Sequence, residues 1–231
     1  MKKVAARPVI VFQPDGVEIP AGITDLARFR AWVHSDDFPE RGRIDWIDGR
    51  MEVDCLPEDL NTHGSPKSAI AIRLGTLIQE KKRGVVYIDR ARLTNPDADL
   101  SAEPDVLVLL FATVRSGRAR LVPKASLEEG RFIEIEGTAD LVVECVSDSS
   151  RAKDARRLRD AYHRAGVREY WLVDARTRPA TFDVLLRQPR GYEPAPAGRG
   201  GYRKSGLLKR GVRLSLVHEE AGLDLYRLDV R

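Results

Sequence analysis

Asp140-Leu141-Val142-Val143-Glu144-Cys145-Val146-Ser147 reads as a short strand, because five of its eight residues are apolar and β-branched valine dominates. Leu141, Val143 and Cys145 face one side; Val142 and Val146 face the other, with Glu144 between them. Apolar residues on both faces predict a central strand covered on both sides. A carboxylate inside such a strand is costly unless it is paired, hydrogen-bonded or bound to a metal. Glu144 therefore needs a partner.

Pro104-Asp105-Val106-Leu107-Val108-Leu109-Leu110-Phe111 is a second core strand, and it too carries a single acid, Asp105. If the two strands are neighbours, both carboxylates meet at one end of a sheet. Two converging oxygen donors suit a hard divalent cation, Mg2+ or Mn2+. The bland alternatives are that Asp105 is a turn residue after Pro104 and that Glu144 pairs with a buried arginine. Lys153 follows Glu144 by nine positions, at the start of the next helix. A lysine beside a metal-carboxylate site could orient water or stabilise a developing phosphate charge. Lying in Arg151-Ala152-Lys153-Asp154-Ala155-Arg156-Arg157, it could equally belong to a solvated basic face.

Around these strands the pattern alternates. Thr24-Asp25 caps a helix running to about His34, and Arg43 to Val53 forms a hairpin around Asp48-Gly49. Ile70, Leu74, Leu77 and Ile78 mark an amphipathic helix from Lys67 to Lys82, closed by Gly84. Val85 to Asp89 is a strand, Arg90 to Ala102 a loop, and Arg115 to Arg131 an irregular basic excursion. After the Asp140–Ser147 strand come candidate caps at Ser147-Asp148-Ser149-Ser150 and a charged helix to Ala165. Glu169 to Asp174 and Thr181 to Leu186 pair as strands, Gln188 to Arg203 is a loop, and the tail has two further strand patterns. The expected class is α/β, with a central mixed β-sheet flanked by α-helices.

Hydrophobic content of 42% and charged content of 32% describe a globular chain. A formal net charge of +4 permits nucleic-acid binding without requiring it. Cys55 and Cys145 lie far apart, which argues against a disulfide framework and points to a reducing, cytoplasmic setting. Arg7, Pro8, Gln13 and Asp15 interrupt what begins like a signal peptide, and no apolar run reaches the roughly 18 residues of a membrane span. A soluble protein without membrane contact is expected.

Pro104-Asp105 followed by Glu144 on an apolar strand resembles the PD-(D/E)XK nuclease superfamily. Asp140 to Ser147, followed by Tyr162-His163-Arg164-Ala165-Gly166-Val167-Arg168-Glu169-Tyr170-Trp171-Leu172-Val173-Asp174, is similar to the Uma-two family of putative restriction endonucleases. Ile44 to Gly49 and the loop from Pro57 to His63 fit that family's first hairpin and following histidine. The resemblance runs from about Arg43 to Asp174 and implies a restriction-endonuclease-like core; the expected division is an N-terminal arm at 1–22, a nuclease-like domain over 23–187 and a β-rich extension, 188–231, packed on the same domain. It implies a Mg2+- or Mn2+-dependent DNA endonuclease with Asp105 and Glu144 as metal ligands and the Cys145 carbonyl as a third. The superfamily lysine belongs two positions after the acid, where this chain has Val146; Lys153 is the candidate replacement. Glu52 and His63 are further candidates. Arg156, Arg157 and Arg159, with Lys81, Lys82 and Arg83, could contact the DNA backbone; the arginines, alternating with Asp154 and Asp160, could equally solvate a helix face. A homodimer is expected from the need to cut two strands. The rival expectation is a nuclease-fold DNA-binding or regulatory protein without turnover, favoured by Val146; a metal-dependent hydrolase of another substrate is a third.

Overall fold

In the computed structural model the described residues are 9–12, 17–124, 129–147 and 153–231, and the side chains at 9–12 and 153–155 fall outside the description. The first elements are β1 Val9–Phe12, β2 Val17–Pro20, α1 Leu26–Val33, β3 Arg43–Ile47, β4 Arg50–Asp54 and α2 Ser65–Gln79. There follow β5 Gly84–Ile88, β6 Arg92–Asn95, β7 Leu100–Ala102, β8 Val106–Leu110, α3 Phe111–Arg115, β9 Ala119–Pro123 and β10 Phe132–Gly137. The last are β11 Leu141–Cys145, α4 Arg159–Arg164, β12 Glu169–Asp174, β13 Thr181–Gln188, β14 Gly191–Pro194, β15 Arg203–Lys204, β16 Gly211–Glu220 and β17 Leu223–Val230.

The central sheet has the order β14-β13-β12-β11-β8-β5, parallel between β11 and β12 and antiparallel elsewhere. It is a mixed sheet, and β11 sits inside it, as its two apolar faces require. Val143 and Cys145 pack toward Ile70 and Leu74 of α2 and toward Val212 and Leu228 of the C-terminal strands. Val142 packs on the other face with Leu158, Ala161 and Tyr162, and with Leu93 and Leu100 of a second sheet, β4-β3-β7-β6-β10-β9. The strands are thus covered on both sides, with helices on each, a restriction-endonuclease-like α/β core.

The local signals hold where they are strongest. Asp25 caps α1 by accepting the Arg28 N–H at 2.9 Å. Asp48 and Gly49 both take positive φ, 54° and 72°, which lets the β3–β4 hairpin close in two residues.

Elsewhere the structure corrects the reading. Gly84 does not close α2; it begins β5, where a Cβ would lie 2.2 Å from the Leu109 carbonyl oxygen. Only glycine allows the two strands to approach that closely. The stretch Arg90 to Ala102 is not a loop but the β6–β7 pair, with Leu93, Leu100 and Ala102 fully buried. Each strand is too short for its alternation to stand out. Arg115 to Arg131 contains β9, and Gln188 to Arg203 contains β14, anchored by buried Tyr192. Within the N-terminal stretch expected as an extended arm, β1 and β2 pair as antiparallel strands, and Val17 and Ile19 are buried with Phe29 and Trp46. Tertiary burial outweighs the turn-rich composition there. The candidate caps Asp148, Ser149 and Ser150 lie outside the described residues. No helix among the described residues is long and apolar enough to cross a membrane.

Candidate active site at the acidic end of the central sheet

Strand register decides which acids meet. Val143 pairs with Val106 in the antiparallel β8–β11 ladder, so the next position brings Glu144 beside Asp105. Ile88 pairs with Val106 on the other side, and Asp89 donates its N–H to the Asp105 carbonyl at 3.1 Å. Asp89, Asp105 and Glu144 therefore stand in one row across three strands. Asp105 and Glu144 are both buried.

Three cationic side chains are shared among the acids. Arg43, at the start of β3, donates from Nη1 to Asp105 Oδ1 at 3.0 Å, from Nη2 to Glu144 Oε2 at 3.2 Å and from Nε to Asp45 Oδ2 at 3.1 Å. Its guanidinium lies between the two acids; burial opposes its charge, but Glu144, Asp45 and Asp105 together hold its pKa well above the ordinary value. His63 lies with Nε2 3.3 Å from Asp105 Oδ2 and Nδ1 3.1 Å from Glu58 Oε2. Burial would depress this imidazole, yet its contacts with Asp105 and Glu58 raise it to about 10. Lys67 projects from the first turn of α2 to Glu58 Oε2 at 2.6 Å and Asp89 Oδ1 at 3.0 Å. It is buried, and Glu58, Asp105 and Asp89 raise its pKa against the cost of burial.

The acids respond in kind. Burial would raise the Asp105 carboxyl, but the His63 hydrogen bond, the Arg43 charge and the Cys145 N–H, 2.7 Å from Oδ2, hold it below the usual range. His63, then Lys67, keeps Glu58 at about 2. Glu144 Oε1 also accepts the Tyr162 hydroxyl at 2.6 Å, and burial and the neighbouring carboxylate push that phenol upward, so it donates as a neutral group.

His63 is positioned by a π-helical turn, Leu60–Gly64, that runs into α2. Asp59 caps the turn by accepting the N–H groups of Asn61 and Thr62 at 2.9 and 2.7 Å. The far end of the chain clamps it. Asn61 donates to the Gly222 carbonyl at 2.8 Å and accepts the Asp224 N–H at 3.0 Å, and Ser65 Oγ donates to the Asp224 carbonyl at 2.5 Å. A cavity of about 510 Å³ opens onto this end of the sheet, lined by Arg43, Glu58, His63, Asp89, Arg90, Glu103 and Cys145 among others.

Of the residues singled out from sequence, Asp105, Glu144, Cys145 and His63 come together. Glu52 is the cross-strand partner of Asp45 and pairs with Arg157. The backbone of Lys153 begins a π-helical turn, Lys153–Leu158, and its side chain lies outside the described residues. Val146, in the usual lysine position, is buried. Lys81, Lys82 and Arg83 follow the far end of α2, roughly 20 Å from Lys67 along the helix. Sequence reading missed Arg43, Glu58, Lys67, Asp89 and the role of Tyr162. One signal was present: Lys67 precedes Ile70, Leu74 and Ile78 at helical spacing, on the stripe that α2 buries.

The donor set around Asp105, carboxylate oxygens and one imidazole nitrogen, fits a divalent cation in chemistry. The Arg43 guanidinium already occupies the place between Asp105 and Glu144, so a cation bridging that pair requires Arg43 to turn toward the cavity it lines.

Comparison with known proteins agrees with the fold. The family profile described as "Uma2: Putative restriction endonuclease" matches residues 26–217. Among solved structures, the chain is similar to a putative nuclease belonging to DUF820 from Anabaena variabilis ATCC 29413, with 16% sequence identity and a TM-score of 0.55. That match covers 80% of this chain and 90% of the other. No curated protein matches.

Proposed function

From the premise that the chain belongs to the Uma2 family of putative restriction endonucleases, we propose that it is a divalent-cation-dependent DNA endonuclease whose site is the acidic end of β8 and β11. The observation that carries this reading is the row of Asp105 and Glu144 on adjacent strands, buried, beside a cavity lined by Arg43 and Arg90. Asp105 and Glu144, with the Cys145 carbonyl, would hold the cation. When bound it supplies a lowered pKa for water and polarisation of a phosphodiester.

The chain's own groups do the positioning. Tyr162 fixes the Glu144 carboxylate from one side, and the Cys145 N–H fixes Asp105 from the other. Lys67 takes the place of the absent lysine after Glu144 as the ammonium of the site, although it acts through Glu58 and Asp89. Arg43 and Arg90 offer positive charge to a phosphate entering the cavity. Arg156, Arg159 and Arg190 line a separate cavity of about 410 Å³ with Asp160 and suit contact with the DNA backbone. In this reading residues 23–187 form the nuclease domain, 188–231 pack on it, and two copies act on the two strands in the cytoplasm.

Incubation with supercoiled plasmid and Mg2+ or Mn2+ tests the reading. Nicked and linear products that need the cation and vanish in Glu144→Ala are expected. Cleavage unchanged in that variant would show the wrong site.

A second reading has its own support. Arg43 between the acids, with Val146 where the lysine belongs, fits a DNA-binding protein that keeps the fold without turnover. Calorimetry separates the two: DNA binding with no divalent-cation binding favours the second.

A further inference from the structure

We infer that the end of the central sheet opposite the acids is a second binding surface, suited to nucleic-acid backbone and separate from the cleavage site. Its use in presenting DNA to that site rests on the nuclease reading; the binding itself does not.

Several stretches meet at that end. α2 stops at Gln79, and Lys81-Lys82-Arg83 lead into β5. Arg83 Nη2 donates to the Leu207 carbonyl at 3.5 Å, and the Arg83 carbonyl accepts the Phe111 N–H at 2.9 Å. The end of α2 is thereby joined to the turn 205–210 and to α3, whose last turn carries Arg115. Leu207 donates its N–H to Glu169 Oε2 at 2.8 Å, and Glu169 pairs with Leu186, next to Arg187. From β5 to β13 this end crosses four strand spacings, about 20 Å. It lies about 20 Å along α2 from Lys67, too far for one phosphate to touch both ends.

The charge at this end is one-sided. In the segments 80–83, 111–118, 187–191 and 205–210 the only acid is Glu80. Lys81, Lys82, Arg115, Arg187, Lys209 and Arg210 are exposed, and among the described residues no carboxylate pairs with any of them. The helix dipole accounts for cations after α2, but Arg187 stands at a strand end and Lys209 and Arg210 on a turn. Lys82 and Lys209 also take positive φ, 49° and 60°, where glycine or asparagine would serve the backbone at lower cost. Unpaired like charges gathered at one end repel one another, and a polyanion relieves that repulsion. Spread over several elements, these cations match a line of phosphates, one per about 1.7 Å of duplex, and not a single small anion.

The test is fluorescence anisotropy of a labelled duplex of arbitrary sequence, without divalent cation, across a series of salt concentrations. It is run on the full-length wild type, Lys81→Gln/Lys82→Gln and Lys209→Gln/Arg210→Gln, each checked for folding by circular dichroism. Arg28→Gln/Arg120→Gln removes two exposed charges elsewhere and serves as the control. Expected are at least about tenfold weaker binding at low salt in both end variants, a salt slope shallower by about two, and less than about threefold change in the control. Equal weakening in the control, unchanged binding in the end variants, or no duplex binding by folded wild type would each overturn the inference. Binding of phosphatidylserine vesicles that the end variants abolish, with duplex binding unchanged in them, would also overturn it and assign the surface to a membrane. Loss of duplex binding in the end variants of a protein that cuts no plasmid would sink the nuclease reading and keep this one. Plasmid cleavage by a wild type whose end variants bind duplex normally would do the opposite.

Discussion

The β11 segment buries one carboxylate at each end, and the two ends differ. At the start, Asp140 accepts the Leu110 N–H at 2.9 Å, the Thr113 hydroxyl at 2.8 Å and Arg118 at 3.3 Å. Those donors come from one short piece of chain, the end of β8, α3 and the turn that follows it. At the other end stand five carboxylates, Asp45, Glu58, Asp89, Asp105 and Glu144, and Arg43, His63 and Lys67 are each shared between two or three of them. Burial of an acid does not by itself make a site. Asp140 is met by donors from the neighbouring turn, so it ties the sheet to that turn. Around Asp105 the acids outnumber the cations beside an open cavity, and that surplus is what an incoming cation can use.

The comparison breaks first on a crossed pair of variants. Glu144→Gln should lower plasmid cleavage by about 10²–10³-fold while changing unfolding free energy by less than about 1 kcal/mol. Asp140→Ala should do the reverse, costing about 3 kcal/mol in urea unfolding because two buried donors and the partly exposed Arg118 lose their acceptor, with cleavage per folded molecule preserved. If Asp140→Ala proved neutral, the two ends would not differ as described.

Arg43→Ala sharpens the functional end. It removes the charged partner that Asp45, Asp105 and Glu144 share, and a loss of about 2–3 kcal/mol is expected without added cation. Millimolar Mn2+ should restore part of the lost melting temperature, because the ion replaces the missing charge. A melting temperature indifferent to Mn2+ would count against a cation at this end.

A third, smaller effect is pH dependence. The folded-state pKa of His63, about 10, lies above its ordinary value near 6.5. The stability it contributes is therefore fully present below about pH 6.5 and is lost as pH rises through about 10. Urea unfolding at pH 6, 8 and 10 should show that decline, and His63→Gln should flatten it. The smallest effect belongs to Glu52→Gln, which removes a partly exposed ion pair with Arg157 at the rim and should cost under about 1 kcal/mol in the same measurement.

Much of the fold was legible where local chemistry decides it. The Asp48-Gly49 turn, the α2 stripe and the all-apolar β8 and β11 needed only spacing and residue type. What escaped reading were elements that survive only by packing. β6 and β7 are four and three residues long, and β14 is held through Tyr192 rather than by its own Gly- and Pro-rich pattern. The same division runs through the site. Asp105 and Glu144 stood out because an acid in an apolar strand contradicts its surroundings. Glu58 and Asp89 sit in polar segments where another acid is unremarkable, and Arg43 opens a hairpin that any residue could open.

By itself, then, the sequence determined that Glu144 would be buried and would need a partner, since an apolar strand dictates burial whatever its neighbours are. Which strand lies beside β11, and in what register, was decided only by the tertiary structure; it put Asp105 next to Glu144. It also decided that the first cation to reach them is Arg43, 62 and 101 residues away along the chain. Hydrophobic pattern fixes which face of a strand is buried. It carries no information on which distant charge the packed chain will bring to that strand's end, because that depends on sheet order, and sheet order is settled by the fit of all the buried faces at once.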